Sequence, residues 1–337
     1  MKRLLAILVL LMIVVGVAWD SMTGRAIDSL LDEDVTLLND ETMQALLPLP
    51  AAAPQVPLRV SLGERLFFDP RLSADQTVSC AACHRFDRGG ADGMPVSVGI
   101  GGARGPINAP TVFNAALAFA QFWDGRAATL EEQAAGPLHN PLEMGSSWSI
   151  VLERLNADPA MRRDFALAYP EGLSAASVAD AIASFERTLL TPDSPFDRYL
   201  AGERQAMSPQ AIDGYQRFRD YGCISCHQGV LLGGNMYQKF GVLGDYFAGR
   251  AVTKADLGRY NVTGREEDKH VFKVPGLRNV ALTAPYFHDG ATDSLAAAVA
   301  IMGRYQLGRE LSEEDVTAIV AFLESLTGKQ PVAGLAR

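Results

Sequence analysis

Runs of like charge are missing from this chain of 337 residues, despite its net charge of −9. With no basic stripe to neutralise phosphates, nucleic acid is not an expected partner. An acidic balance of this size serves solubility. Strand signals are few and short. Beyond Trp19 no stretch is apolar enough to span a bilayer, which takes about 20 residues. Cysteine and histidine are scarce, at four and five copies. Chemistry that needs them is confined to a few positions.

The apolar run that does exist is Leu4–Trp19, behind Lys2 and Arg3 and closed by Asp20. It is short for a spanning helix and fits the core of an export signal. A small-residue cleavage site is missing. Residues 1–24 are therefore expected to be a signal peptide or a retained membrane anchor, with the rest of the chain exported either way. Residues 25–59 read as a linker, polar at first and proline-rich over Leu47–Pro57. The compact part is expected to begin near Val60.

Helical signals dominate from there. Thr129-Leu-Glu-Glu132 is a capping box ahead of a short helix. Over Ser174–Leu190, the residues Val178, Ala181, Ile182, Phe185 and Leu189 recur at helical spacing. Ser208-Pro209 supplies a cap and a first-turn proline. Ser312 to Leu326 repeats the pattern, with Asp315 three residues past the cap and Gly328 as a stop. Ala296–Met302 is a helix-like run ending at Gly303. The expected fold is mostly α with long loops, in two domains over 60–193 and 194–330. Thr191-Pro-Asp-Ser-Pro195 is the joint between them.

The four cysteines are spent on one pattern used twice: Cys80-Ala-Ala-Cys83-His84 and Cys223-Ile-Ser-Cys226-His227. A C-x-x-C-H run attaches c-type haem. The thiols form thioethers to the vinyl groups, and the histidine reaches the iron. A zinc site closes over roughly 15–20 residues, whereas these halves lie 143 apart. Disulfides within each motif would leave the histidines unexplained. The reading is two covalent haems, hence two cytochrome c-like haem domains. In bacteria such attachment takes place outside the cytoplasmic membrane, so the periplasm is the expected compartment. No strict internal repeat extends beyond the motif, and the halves read as related units that have diverged.

What completes each iron decides the chemistry, since an open position allows a small molecule to bind and be activated. His139, His270 and His288 remain. Met207, Met236 and Met302 are candidates in the second half, and Met302 suits core packing as well as ligation. Met94 and Met144 are the options in the first half, and neither stands out.

Several segments carry a resemblance. They are Leu66-Phe-Phe-Asp-Pro-Arg-Leu72, Gly105-Pro106 with Asn108, Gln121-Phe-Trp-Asp-Gly-Arg126, Leu277-Arg-Asn-Val280, Pro285-Tyr-Phe-His288 and Ile301-Met-Gly303. With the two haem motifs between them, the chain resembles the bacterial dihaem cytochrome c peroxidases from about Gly63 to Pro331. The resemblance implies reduction of hydrogen peroxide to water, with electrons from a small cytochrome c or cupredoxin. It implies that the first haem is peroxidatic and that Met302 ligates the second. It makes Trp123 an electron bridge, and Glu143 and Gln133 the distal proton carrier and orienting amide. Asn108, Thr283 and Pro285 match a calcium site, and His288 a contact to haem propionate. His139 and His270 are left as surface or structural residues. A homodimer is implied by analogy alone.

The chain departs from the family pattern at Ile100, which stands where many members place a histidine that caps the peroxidatic iron. Isoleucine has no donor atom, so that iron is expected to be open in every redox state. Related dihaem enzymes that oxidise tryptophans of a partner during methylamine dehydrogenase maturation also lack this histidine. They carry Tyr rather than Met on the second haem, so Met302 argues for a peroxidase. A dihaem electron-transfer cytochrome is a third reading; it leaves Glu143, Gln133 and Trp123 idle.

Overall fold

Small polar caps and first-turn prolines decide where the helices begin. The computed structural model describes residues 46–331. The signal or anchor expected over residues 1–24 lies outside the described residues. Among those described, no helix is long and apolar enough to cross a membrane. Helix α1 (Pro57–Phe67) opens on a proline, and α2 (Cys80–Cys83) is a single turn carrying the first motif. Then come α3 (Leu130–His139), α4 (Trp148–Asn156), α5 (Pro159–Ala168) and α6 (Ala175–Glu186), capped by Thr129, Ser147, Asp158 and Ser174. The series continues with α7 (Pro195–Leu200), α8 (Pro209–Asp220), α9 (Tyr260–Thr263), α10 (Leu295–Gln306) and α11 (Glu313–Glu324). Ser194, Ser208, Ser294 and Ser312 cap four of these. Each cap accepts a backbone N–H and is worth about 1 kcal/mol. Two short strands, β1 (Tyr237–Lys239) and β2 (Val271–Lys273), pair antiparallel with Gln238 opposite Phe272. The fold is mostly helical with long loops, as expected.

Two local readings need correction. The Thr129 box is half formed: Thr129 accepts the Glu132 N–H, but the Glu132 carboxylate reaches the Ala128 N–H instead of the cap's own. Gly303 does not end its helix, since α10 runs on to Gln306. A Cβ there would lie 2.7 Å from Leu311 Cγ, so the glycine serves close packing and not termination.

Helix pairs cross tightly in both parts of the chain, and by the same device. A Cβ at Gly63 of α1 would fall 1.9 Å from the Ala181 carbonyl oxygen of α6. At Gly214 of α8 it would fall 1.8 Å from that of Ala318 in α11. Leu62, Leu66, Phe165, Val178 and Ile182 fill the core around the first crossing. Around the second, Phe196 packs edge-on to Tyr215 and Phe322, and Phe218 packs tilted against Phe322.

The segment expected to join the two domains is pinned. Thr191 is buried, and its hydroxyl accepts from Asn114 Nδ2 at 2.8 Å and from Asn279 Nδ2 at 2.7 Å. The proline-rich approach is extended, as expected, but it is tied down before Val60. Leu49 N–H donates to Asp197, and Arg278 donates to the Leu47 carbonyl. Asp197 and Arg278 form a buried ion pair at 2.6 Å.

A diverged repeat extends beyond the cysteine motif. Asn114 and Asn279 are both left-handed, as are Phe122 and Phe287. The isolated bridges Gln121–Ala127 and Tyr286–Thr292 follow the same offset, each pair 165 residues apart. Under that offset Trp123 and His288 occupy equivalent positions.

Candidate active site

Each attachment motif presents its histidine through a short hydrogen-bonded turn. His84 Nδ1 lies 3.2 Å from the Gly90 carbonyl, and His227 Nδ1 lies 3.1 Å from that of Leu232. Burial pushes both imidazoles down from their ordinary values. A neutral ring facing a carbonyl through Nδ1 carries its proton there and keeps the Nε2 lone pair for a metal. The four thiols are unbridged. Burial pushes Cys80 up to about 12 and Cys223 up to about 11, so neither is set up as a free nucleophile.

Both histidines line one cavity of about 730 Å³. Of the methionines among the described residues only Met302 lines it, from α10; His139 and His270 do not. His139 is exposed with Nδ1 facing the Ser146 carbonyl, and His270 stacks on Phe247 with Nδ1 toward the Asp256 carbonyl. Met144 and Met207 are buried in apolar packing.

Glu143 and Gln133 line the same cavity. Gln133 projects from α3, and Glu143 follows in the turn after it. Burial pushes the Glu143 carboxyl up, with Asn140 and Arg126 opposing; the Asn140 amide donates to it at 2.6 Å. The loop with Ile100 docks on this turn, its N–H donating to the Glu143 carbonyl at 2.8 Å. The Ile100 side chain packs at Gly145, where a Cβ would meet Cδ1 at 2.4 Å. Ile100 itself does not line the cavity.

Trp123 lines the cavity too, with Met302 and Phe272 in the same apolar cluster. Its Nε1 donates to the Asn108 carbonyl at 2.9 Å. Asn108 is buried, and its Nδ2 donates to the Met94 carbonyl at 2.9 Å. Its Oδ1 has no hydrogen-bond partner among the described residues, nor do the carbonyls of Thr283 and Pro285. All three residues line the cavity. Such spare oxygens fit a hard cation. His288 faces Trp123 edge-on at 6.4 Å between ring centroids. Its Nε2 is taken by Asp256 at 2.8 Å, with both side chains buried. Burial would raise Asp256, but Thr253, His288 and Arg250 hold it below the usual carboxylate range. The donor set therefore fits two haems: two free imidazole Nε2 atoms, paired thiols beside each, and a largely apolar cavity.

The chain is 54% identical over 282 residues to the cytochrome c peroxidase Ccp of Escherichia coli, covering 83% of this chain and 60% of that protein. It is 50% identical to the cytochrome c551 peroxidase of Pseudomonas aeruginosa, covering 80% and 79%. A family model for di-haem cytochrome c peroxidase matches residues 57–205. The chain belongs to the di-haem cytochrome c peroxidase family. Members of this family carry two haems, and the name agrees with the fold. The crystal structure of a MauG-like protein associated with microbial copper homeostasis aligns with a TM-score of 0.75 at 30% identity, covering 84% of this chain and 93% of that one. The chain thus spans about three fifths of the Escherichia coli peroxidase and most of the other two.

Lys273, Arg126 and Glu186 are ionisable residues of this peroxidase-family cavity to which the sequence reading gave no role. Lys273 donates to the Ala120 carbonyl at 2.9 Å, and burial pushes it down to about 8. Arg126 pairs with Asp124 and stacks on Phe122. Glu186 ends α6 inside the cavity. No local pattern marks Lys273, whereas Arg126 closes the Gln121–Arg126 run that carries the resemblance. Glu186 carried a signal, an acid directly after the apolar helix position Phe185.

Proposed function

We propose that this chain is a periplasmic peroxidase that reduces hydrogen peroxide to water with electrons from a small redox protein. The observation that carries the reading is the asymmetry of the cavity. Met302 is the one methionine on its wall, while Glu143 and Gln133 supply a carboxyl and an amide on the side of the first motif. A haem supplies an iron that activates peroxide when a coordination position is open and stores an electron when both are filled.

In this reading Cys80, Cys83 and His84 hold the first haem in domain 60–193. Cys223, Cys226, His227 and Met302 hold the second in domain 194–330. Glu143 accepts a proton from one peroxide oxygen and returns it to the departing one. Gln133 orients the peroxide through its amide. Trp123, fixed by Asn108, lies on the electron path between the halves. Two electrons and two protons balance the conversion of one peroxide to two waters. Asn108, Thr283 and Pro285 hold a calcium ion, and His288 steadies a propionate through the ring nitrogen that Asp256 leaves free.

Ile100 packs at Gly145 and brings no donor atom. That loop would then offer the first iron no ligand, its second coordination position would stay open in every redox state, and no reductive activation would be needed. Stopped-flow turnover from fully oxidised and from half-reduced enzyme tests both points. Equal peroxide consumption from either start is expected. Peroxide left unconsumed would overturn the function, and a low-spin bis-histidine signal from the oxidised first haem would overturn the open site.

A further inference from the structure

Glu186 is the cavity's second enclosed carboxyl, and the peroxide chemistry gives it no task. It is 6% exposed, and its Oε2 has no hydrogen-bond partner among the described residues. A buried carboxylate without a partner is strongly disfavoured, so such a group holds a proton unless a positive charge is near. Burial pushes it up to about 8, with Arg187 opposing and Glu131 adding. Arg187 and Glu131 are themselves an ion pair. From α1, packed along α6, the buried ionisable group is Glu64. From α2, the Cys80 sulfur feels the Glu186 charge. Cys80 marks the vinyl edge of a porphyrin, and the propionates leave from the opposite edge. Glu186 is therefore not a propionate partner.

We propose that Glu186 couples a proton to reduction of the first haem, taking one up as that haem gains an electron and releasing it on reoxidation. The inference rests on the reading that Cys80, Cys83 and His84 hold a haem. The ferric centre carries one more positive charge than the ferrous one, and that charge favours the carboxylate. When the donor protein's electron reduces the iron from +3 to +2, the charge is gone. The carboxylate then takes a proton from solvent and becomes the acid, so one O–H bond forms and none other changes. The pocket's charge stays constant while the electron waits for peroxide.

The test is a spectroelectrochemical titration of the intact two-haem enzyme, without peroxide, across roughly pH 6–9. The potential of the first haem should fall as pH rises, at one proton per electron, and Glu186→Gln should flatten it. The reduced-minus-oxidised infrared difference spectrum should show a protonated-carboxyl band that shifts in heavy water. That band should vanish in Glu186→Gln and persist in Glu143→Gln. An unchanged pH slope in Glu186→Gln, or a wild-type spectrum with no such band, would overturn the proposal. Where Glu186→Gln does not take up haem, the wild-type spectrum in light and heavy water decides. A haem assay giving fewer than two haems per chain would instead sink the attachment reading on which it rests.

Discussion

Glu143 and Glu186 share a cavity but not a situation. Glu143 has an amide partner in Asn140, whereas Oε2 of Glu186 has none. Burial raises Glu143, and a base must be ionised to accept a proton. Activity should therefore climb with pH through an apparent pKa above the ordinary value of about 4.3. Asn140→Ala removes the bond that holds this pKa down, so the acid limb of the kcat/KM profile should move to higher pH; an unmoved limb would count against Glu143 as the base. Glu143→Gln should cost about 10²–10⁴ in kcat with both haem spectra unchanged, and near-normal turnover would argue against the assignment. Met302→His should lower the potential of the second haem, because methionine ligation raises it; redox titration reads the change. The motif histidines were legible because attachment needs a fixed local spacing. Lys273 was not, because what singles it out is burial, and burial comes from segments distant in sequence.

Among the elements, the serine caps were legible and the glycines were not. Ser208 and Ser312 act within three residues of themselves, so sequence suffices to find them. Gly303 reads as a helix stop by the same local logic, but its role depends on Leu311, brought close by the turn after α10. Gly63 and Gly214 belong to this second kind. Replacing either by alanine would force the paired helices apart against a backbone carbonyl, which cannot swing aside as a side chain can. Gly214→Ala should destabilise by roughly 1–3 kcal/mol, seen as a lower Tm of the intact enzyme. The same change at exposed Gly264, which has open space around it but a left-handed backbone, should cost only the roughly 1 kcal/mol of that conformation.

For the whole molecule, the repeat was within reach of the sequence. Asn114, Ala116, Leu117, Phe122, Asp124 and Gly125 recur as Asn279, Ala281, Leu282, Phe287, Asp289 and Gly290. The copies diverge where their tasks do, with Trp123 opposite His288. A comparison of the chain with itself at one fixed offset would have exposed it. The calcium reading belongs to this scale as well, since Asn108 comes from one copy's approach and Thr283 and Pro285 from the other. Calcium at about 100 times its Kd should add about 2.7 kcal/mol of stability. Asn108→Ala should abolish that gain; a melting curve indifferent to chelator would refute the site.

Thr191 acts as a rivet. Parting Asn114 from Asn279 would leave one of the two asparagine amides without its acceptor in a dry interior, at roughly 1–3 kcal/mol. If the two motifs hold haems as proposed, this tie resists any change in the distance an electron must tunnel between them.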